Sequence, residues 1–272
     1  MNNFFSQQFV GSMYKELDDM QLRELIKLHN CMGKDCIKDG LLYYFDSNGC
    51  VAVKCIEKSN ITEVEILSGT EVINDSEFYK CFTLHSVIIP DTVRIIGADC
   101  FAYCKNLEHI TIPAGVKKLN KNVFNGCLKL RHIEIPSTVE SIGISAFYNC
   151  GLSSLVLPKS VREIAFSSFA NCSNLRIVMI EKGLKEIGGC AFFGCKKLQT
   201  VNIPDSVQSI AEYAFFNCIS LTGITIPKSI KKLDNNSFYM CANLQKVILP
   251  RHLADDAVCA FRSCTNVKFI WY

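Results

Sequence analysis

Cysteine and histidine are the residues of this 272-residue chain best suited to do chemistry, and their spacing decides whether they do. There are sixteen cysteines. Thiolates would serve a metal or a redox reaction, and zinc sites draw their ligands from close pairs such as Cys-x-x-Cys. The close pairs here are Cys31/Cys36, Cys50/Cys55, Cys100/Cys104, Cys190/Cys195 and Cys259/Cys264, four or five residues apart, and none has that spacing. A disulfide framework is the mark of small exported domains, whereas this chain is long. Nine cysteines instead form a column, at 81, 104, 127, 150, 172, 195, 218, 241 and 264, with steps of 23 residues and a single step of 22 after Cys150. At that period the expectation is a ladder of small, weakly polar, inward-facing thiols filling a tight corner of the chain. Neighbouring rungs would lie about 5 Å apart, but their Cβ directions run parallel and do not favour pairing.

The histidines give a second candidate. His85, His109 and His132 fall on successive repeats, and His109 and His132 share a column with Glu134 two residues on. Such a set can ligate a metal, and it equally suits a plain solvated strand; the expectation is no metal site. No Ser/His/Asp or Cys/His arrangement stands out, no glycine loop cradles a phosphate, and the carboxylates are scattered, so neither catalytic residues nor a cofactor are expected.

Composition narrows the classes further. The chain is 49% hydrophobic and 20% charged, an ordinary globular balance. A formal charge of +3 without basic blocks argues against nucleic acid. No apolar run approaches a membrane span. The N-terminus, Met1 to Phe9, lacks a basic segment followed by an apolar one, so a cytoplasmic address is expected. Asn-x-Ser/Thr sequons at Asn60, Asn74, Asn171 and Asn235 would matter only after export.

The elements that must position these residues follow from the same period. A phenylalanine precedes each ladder cysteine by three, from Phe78 to Phe261, and all seven prolines occupy one further column. One unit reads Leu107-x-x-Ile110-x-Ile112-Pro113-x-x-Val116-x-x-Leu119, then Phe124-x-x-Cys127. Its Leu-x-x-Ile-x-Ile start alternates as a strand does, and the proline ends that strand. The Val-x-x-Ile and Ala-Phe-x-x-Cys stretches are too short for long helices and suit turns or a brief second strand. A 23-residue unit cannot bury enough surface alone, so units must stack into a solenoid.

Ahead of the repeats, Met13, Leu17, Met20, Leu25 and Leu28 approach helical spacing, which suits a helix lying over the first coil. Asp39 to Phe45, a turn at Asp46-Ser47-Asn48-Gly49 and Cys50 to Val53 look like the short hairpin that often opens domains built on this kind of repeat. The expected organisation is a helical cap over 1–38, the hairpin over 39–60, and nine coils with a terminal strand over 61–272.

The repeat resembles the BspA-like leucine-rich-repeat family, whose motif is Cys-x-x-Leu-x-x-Ile-x-Ile-Pro…Ala-Phe. The resemblance covers residues 61–272. It implies a right-handed solenoid with a parallel β-sheet face, short turns or 3-10 segments on the convex side, and a curved scaffold often found on cell surfaces, with no catalytic chemistry. The sequence departs from the pattern where coil five loses a residue at Cys150-Gly151-Leu152, where Glu181 replaces proline, and where Thr70 and Asp256 replace buried aliphatics.

The outward columns of the strand face give the candidate contact residues: Ile88, Thr111, Glu134, Val156, Ile177, Met179, Asn202, Ile248, Phe269 and Trp271. Val156, Ile177 and Met179 cluster mid-face, and contiguous exposed apolar residues mark interaction sites. The expectation is a non-catalytic scaffold that holds a protein partner on this face. The alternatives are a cell-surface adhesin, or an assembly component that self-associates through the aromatic edge Val267, Phe269, Ile270, Trp271 and Tyr272.

Overall fold

The repeat winds as the period requires. The computed structural model describes residues 19–31 and 36–272, and shows a parallel-strand β-solenoid of about ten turns. Most coils contribute one strand before the proline column and a two-residue strand, such as Lys118–Leu119 or Glu163–Ile164, at the Val-x-x-Ile stretch. Between these the chain turns. The described residues contain one 3-10 segment, Arg251–Leu253, leading into a short helix, Ala254–Ala260.

The convex corner has a stereochemical rule that explains its composition. Two residues in left-handed backbone bracket the phenylalanine of almost every coil, at two positions before and two after it: Asp99 and Tyr103 around Phe101, Asn122 and Gly126 around Phe124, Ser167 and Asn171 around Phe169. Left-handed geometry favours Gly, Asn and Asp, which recur at these positions. The paired reversals turn the phenylalanine inward. From Phe78 to Phe261 the nine rings stack in one column, centroids 4.7 to 5.7 Å apart and planes within 21°.

The cysteine column runs beside the phenylalanines and is bonded to them. Each thiol from Cys104 to Cys264 donates to the carbonyl oxygen of the phenylalanine one coil back, as in Cys150 Sγ to Phe124 O at 2.9 Å and Cys172 Sγ to Phe147 O at 3.1 Å. The cysteine is therefore a small side chain that also gives a second hydrogen bond to a carbonyl already accepting the backbone N–H three residues on. Burial pushes the thiols of Cys172, Cys195 and Cys218 well above their ordinary range. With Leu107, Ile110, Ile112, Val116 and Leu119 and their counterparts, these columns make one continuous core.

At the N-terminal end a helix, α1 (Asp19–Cys31), packs through Leu22 and Ile26, both fully buried one turn apart. This corrects the expected stripe: Leu25 is only partly buried and Leu28 is exposed, while Met13, Leu17 and the side chain of Met20 lie outside what the structure describes. Arg23 adds an ion pair to Glu71. Leu41–Phe45 and Val51–Cys55 pair antiparallel around the Asp46–Gly49 turn, and Val51–Cys55 then pairs parallel with Val72–Ile73, joining the hairpin to the solenoid. The stretch assigned to the helical cap also supplies a strand, Cys36–Lys38, on the hairpin's outer edge.

The departures from the repeat have local explanations. Glu181 keeps the N–H that proline lacks and donates it to Leu157 O at 2.9 Å, while its carboxylate accepts from Lys159 N at 3.0 Å. Asp256 caps the last two-residue strand by accepting from Leu233 N at 3.0 Å. Thr70 is buried with its hydroxyl unpaired, and nothing in its surroundings explains the choice over valine.

Candidate functional site

The strand face is one succession of coils but three separate ladders. Glu63–Glu65, Ser86–Ile88 and His109–Ile110 form the first; Ser154–Leu157, Ile177–Ile180 and Thr200–Val201 the second; Gly223–Thr225, Lys246–Leu249 and Lys268–Trp271 the third. In the coil between the first and second, residues 131–135 form no strand. The shortened coil follows directly. Its Ser153 N still bonds Arg131 O at 3.0 Å, beyond which the two chains form no further ladder. Gly151 is required at the shortening, because a Cβ there would stand 2.2 Å from Leu128 O.

The mid-face cluster is contiguous. Val156 sits directly opposite Met179 on paired strands, and Ile177 opposite Ser154. Side-chain packing inside is complete at Leu155, Leu157, Val178 and Ile180, and alternation turns the intervening residues out. Val156 is 54% exposed, Ile177 44% and Met179 46%, high for large apolar side chains on adjacent strands. Ile88 is also exposed but stands apart in the first ladder, beside Glu65. Thr111 is exposed just before the ladder break and Glu134 within it.

Three candidates are placed differently from the column reading. Asn202 turns its amide into the ladder: Oδ1 accepts from Ile180 N at 2.7 Å and Nδ2 donates to Ile180 O at 2.8 Å. It is a structural clamp between coils. Phe269 and Trp271 do not face outward. The last strand is registered one residue early, pairing Lys268 with Lys246 and Phe269 with Val247, so every side chain changes face. Lys268 and Ile270 point out, whereas Phe269 and Trp271 are half-buried and pack against the core. Ile248 keeps its outward place opposite Thr225 but is half-buried.

Two adjoining clefts lie at the break. One of about 560 Å³ is lined by Glu108, His109, Thr111, Lys129, Arg131 and His132. The other, about 660 Å³, runs from His132 and Glu134 to Val156, Lys159 and Glu181. Lys129 Nζ hydrogen-bonds Glu108 at 3.1 Å and holds that carboxyl below its usual range. The sequence reading placed His109 and His132 in one column but missed the clefts and the basic residues Lys129 and Arg131 beside them. Among the described residues no three His, Cys, Asp or Glu side chains gather as a metal site, and no helix is long and apolar enough to cross a membrane.

With the coil geometry in hand, the family is decided by comparison. Residues 51–176 and 167–272 match the BspA type leucine rich repeat region, in six copies. The chain belongs to this family. No curated protein matches the sequence. Among solved structures, this BspA-type chain is similar to a leucine-rich repeat protein of T. pallidum, at 23% identity and a TM-score of 0.58, over 88% of this chain and 100% of that one. A leucine-rich repeat protein from Bacteroides ovatus matches at 20% identity and a TM-score of 0.57, over the same shares. One from Eubacterium ventriosum matches at 19% and 0.51, over 88% of this chain and 84% of that one. At these identities the likeness is one of fold.

Proposed function

We propose that this BspA-type solenoid is a non-catalytic scaffold that holds a protein partner on its strand face, centred on Val156, Ile177 and Met179. The observation that carries the reading is the exposure of three large apolar side chains side by side on a rigid, hydrogen-bonded sheet. A preformed apolar centre with a polar rim is how protein interfaces are built, because burying such residues needs no ordering of the scaffold. Glu134 borders this centre, with Thr111 and Ile88 farther along the face. Asn202 leaves the contact set because its amide is committed to Ile180, and Phe269 and Trp271 leave it because they pack inward.

The test is cross-linking capture from source cells with wild type and with Val156→Glu/Ile177→Glu/Met179→Glu, after circular dichroism shows that the variant folds. Loss of a wild-type partner by the folded variant supports the strand face. Equal capture by both sinks it. The compartment is read separately. A surface adhesin exported through a glycosylating pathway would carry glycan at the exposed Asn60 and Asn235, ahead of Asn74 and Asn171, whose amides donate to Tyr44 and Tyr148. Labelling of intact cells with an impermeant reagent distinguishes surface from interior.

A further inference from the structure

The ladder break has its own recognition chemistry. None of the five backbone N–H groups of residues 131–135 has a hydrogen-bond partner among the described residues. Inside the ladders the leading groups of a strand are bonded: Glu108 N and His109 N share His85 O, and Gln199 N and Thr200 N share Arg176 O. A run of unpaired donors is a site that wants acceptors. The side chains around it agree. Arg131 forms no ion pair among the described residues, and His109 and His132 line the same cleft, whose one carboxylate, Glu108, is already tied to Lys129, while Glu134 and Glu181 line the adjoining cleft. The second cleft then leads from His132 to Val156, at the edge of the apolar cluster.

From this arrangement we infer that the break binds an acidic, extended peptide segment of the partner. A carboxylate would meet the Arg131 guanidinium and the free N–H groups, and a neighbouring apolar side chain would reach Val156. Arginine offers a carboxylate two parallel hydrogen bonds, and backbone N–H donors beside it add fixed partial charge. The molecule shows the same solution internally: where the next ladder ends, the Asn202 amide supplies the missing acceptor and donor to Ile180. At residues 131–135 no side chain among the described residues does so, and the partner supplies it instead. This inference rests on the strand face being the working surface.

The experiment uses the full chain and two fluorescein-labelled decapeptides, each with a central Leu-x-Leu flanked by Glu in one and by Gln in the other, followed by anisotropy. The Glu peptide is expected to bind more tightly, with the difference shrinking as salt is raised. Arg131→Gln is expected to weaken the Glu peptide about tenfold and to leave the Gln peptide unchanged, since a hydrogen bond to a charged group contributes about that much. Val156→Ser is expected to weaken both peptides alike. Equal binding of the two peptides to wild type, a Glu preference that survives Arg131→Gln, or no binding of either peptide each overturns carboxylate recognition at the break. The strand-face reading fails separately, if Val156→Ser leaves both affinities unchanged while Arg131→Gln still discriminates.

Discussion

Replacing Phe169 by leucine tests whether ring stacking along the solenoid axis, beyond burial, holds the coils together. Phe169 is fully buried, with Phe147 at 5.2 Å and 5° on one side and Phe192 at 5.5 Å and 7° on the other. Leucine keeps the site apolar and nearly filled, so the packing change itself costs about 1.5 kcal/mol or less. Each aromatic contact contributes about 0.5–1.5 kcal/mol beyond area, so losing two adds about 1–3 kcal/mol. The expected loss is therefore about 1–4.5 kcal/mol. Phe78→Leu is the internal control: Phe78 is equally buried but has one stacked neighbour, Phe101, and should lose roughly 1 kcal/mol less. Guanidinium denaturation followed by circular dichroism measures both, with the slope compared to show whether the array still unfolds as one unit. Equal losses at the two positions, with equal slopes, would refute the stacking argument and leave burial alone as the cause.

The remaining expectations concern the thiols, the shortened coil and the clamp. The folded ladder thiols ionise later than unfolded ones, Cys241 being pushed up by burial to about 12 from an ordinary value of 9.0. The folded state thus holds the proton that the unfolded state gives up, so stability is full below about pH 9 and falls progressively toward about pH 12, read as denaturation midpoints across that range. A flat midpoint over that window would contradict it. Gly151→Ala forces a Cβ against Leu128 O at 2.2 Å and should destabilise by about 1–3 kcal/mol, measured calorimetrically; a neutral result would mean the shortened turn is not the tight point. Asn202→Ala leaves Ile180 N and O without their clamp and should cost about 1–3 kcal/mol, with faster amide exchange at Ile180 as the specific signature.

Much of this fold was legible because its period is strict. The Cys column reads as inward from spacing alone, and with the Phe column it lies in the core. What spacing does not carry is the partner of a polar atom in the third dimension: that each thiol bonds a phenylalanine carbonyl one coil back depends on how the corner turns. The signal for that turn was present, as Asn, Ser, Asp and Gly two residues either side of the phenylalanine, but it marks backbone geometry and not a contact. Alignment by constant period also misleads at the ends. Phe269 and Trp271 were assigned outward by counting 23 residues, yet the last strand pairs at 22, and a one-residue slip reverses every side chain. In α1 the pair Leu22 and Ile26, four residues apart, was a sounder helical stripe than the one spread over Met13 to Leu28.

The single missing residue after Cys150 shows how a regular core and an irregular face coexist. The core columns absorb it without disturbance: Phe147 and Phe169, though 22 residues apart, are as well stacked as any pair, and Cys172 Sγ still reaches Phe147 O at 3.1 Å. The shortening falls between the cysteine and the next leucine, at the turn onto the strand face, so the mismatch is expressed only there. Burial makes the core insensitive because its side chains must close-pack whatever the loop length. The ladder has no such constraint, since water can satisfy its exposed backbone groups. The defect therefore leaves unpaired donors beside Arg131 and next to the Val156 cluster, at one of the two breaks that divide the face into three ladders. Restoring the residue, by inserting one after Gly151, should close residues 131–135 into the ladder. Hydrogen exchange would show this as new protection at those of the five amides that face the restored coil. If the amides remain as fast as before while the protein folds normally, the deletion is not the cause of the break.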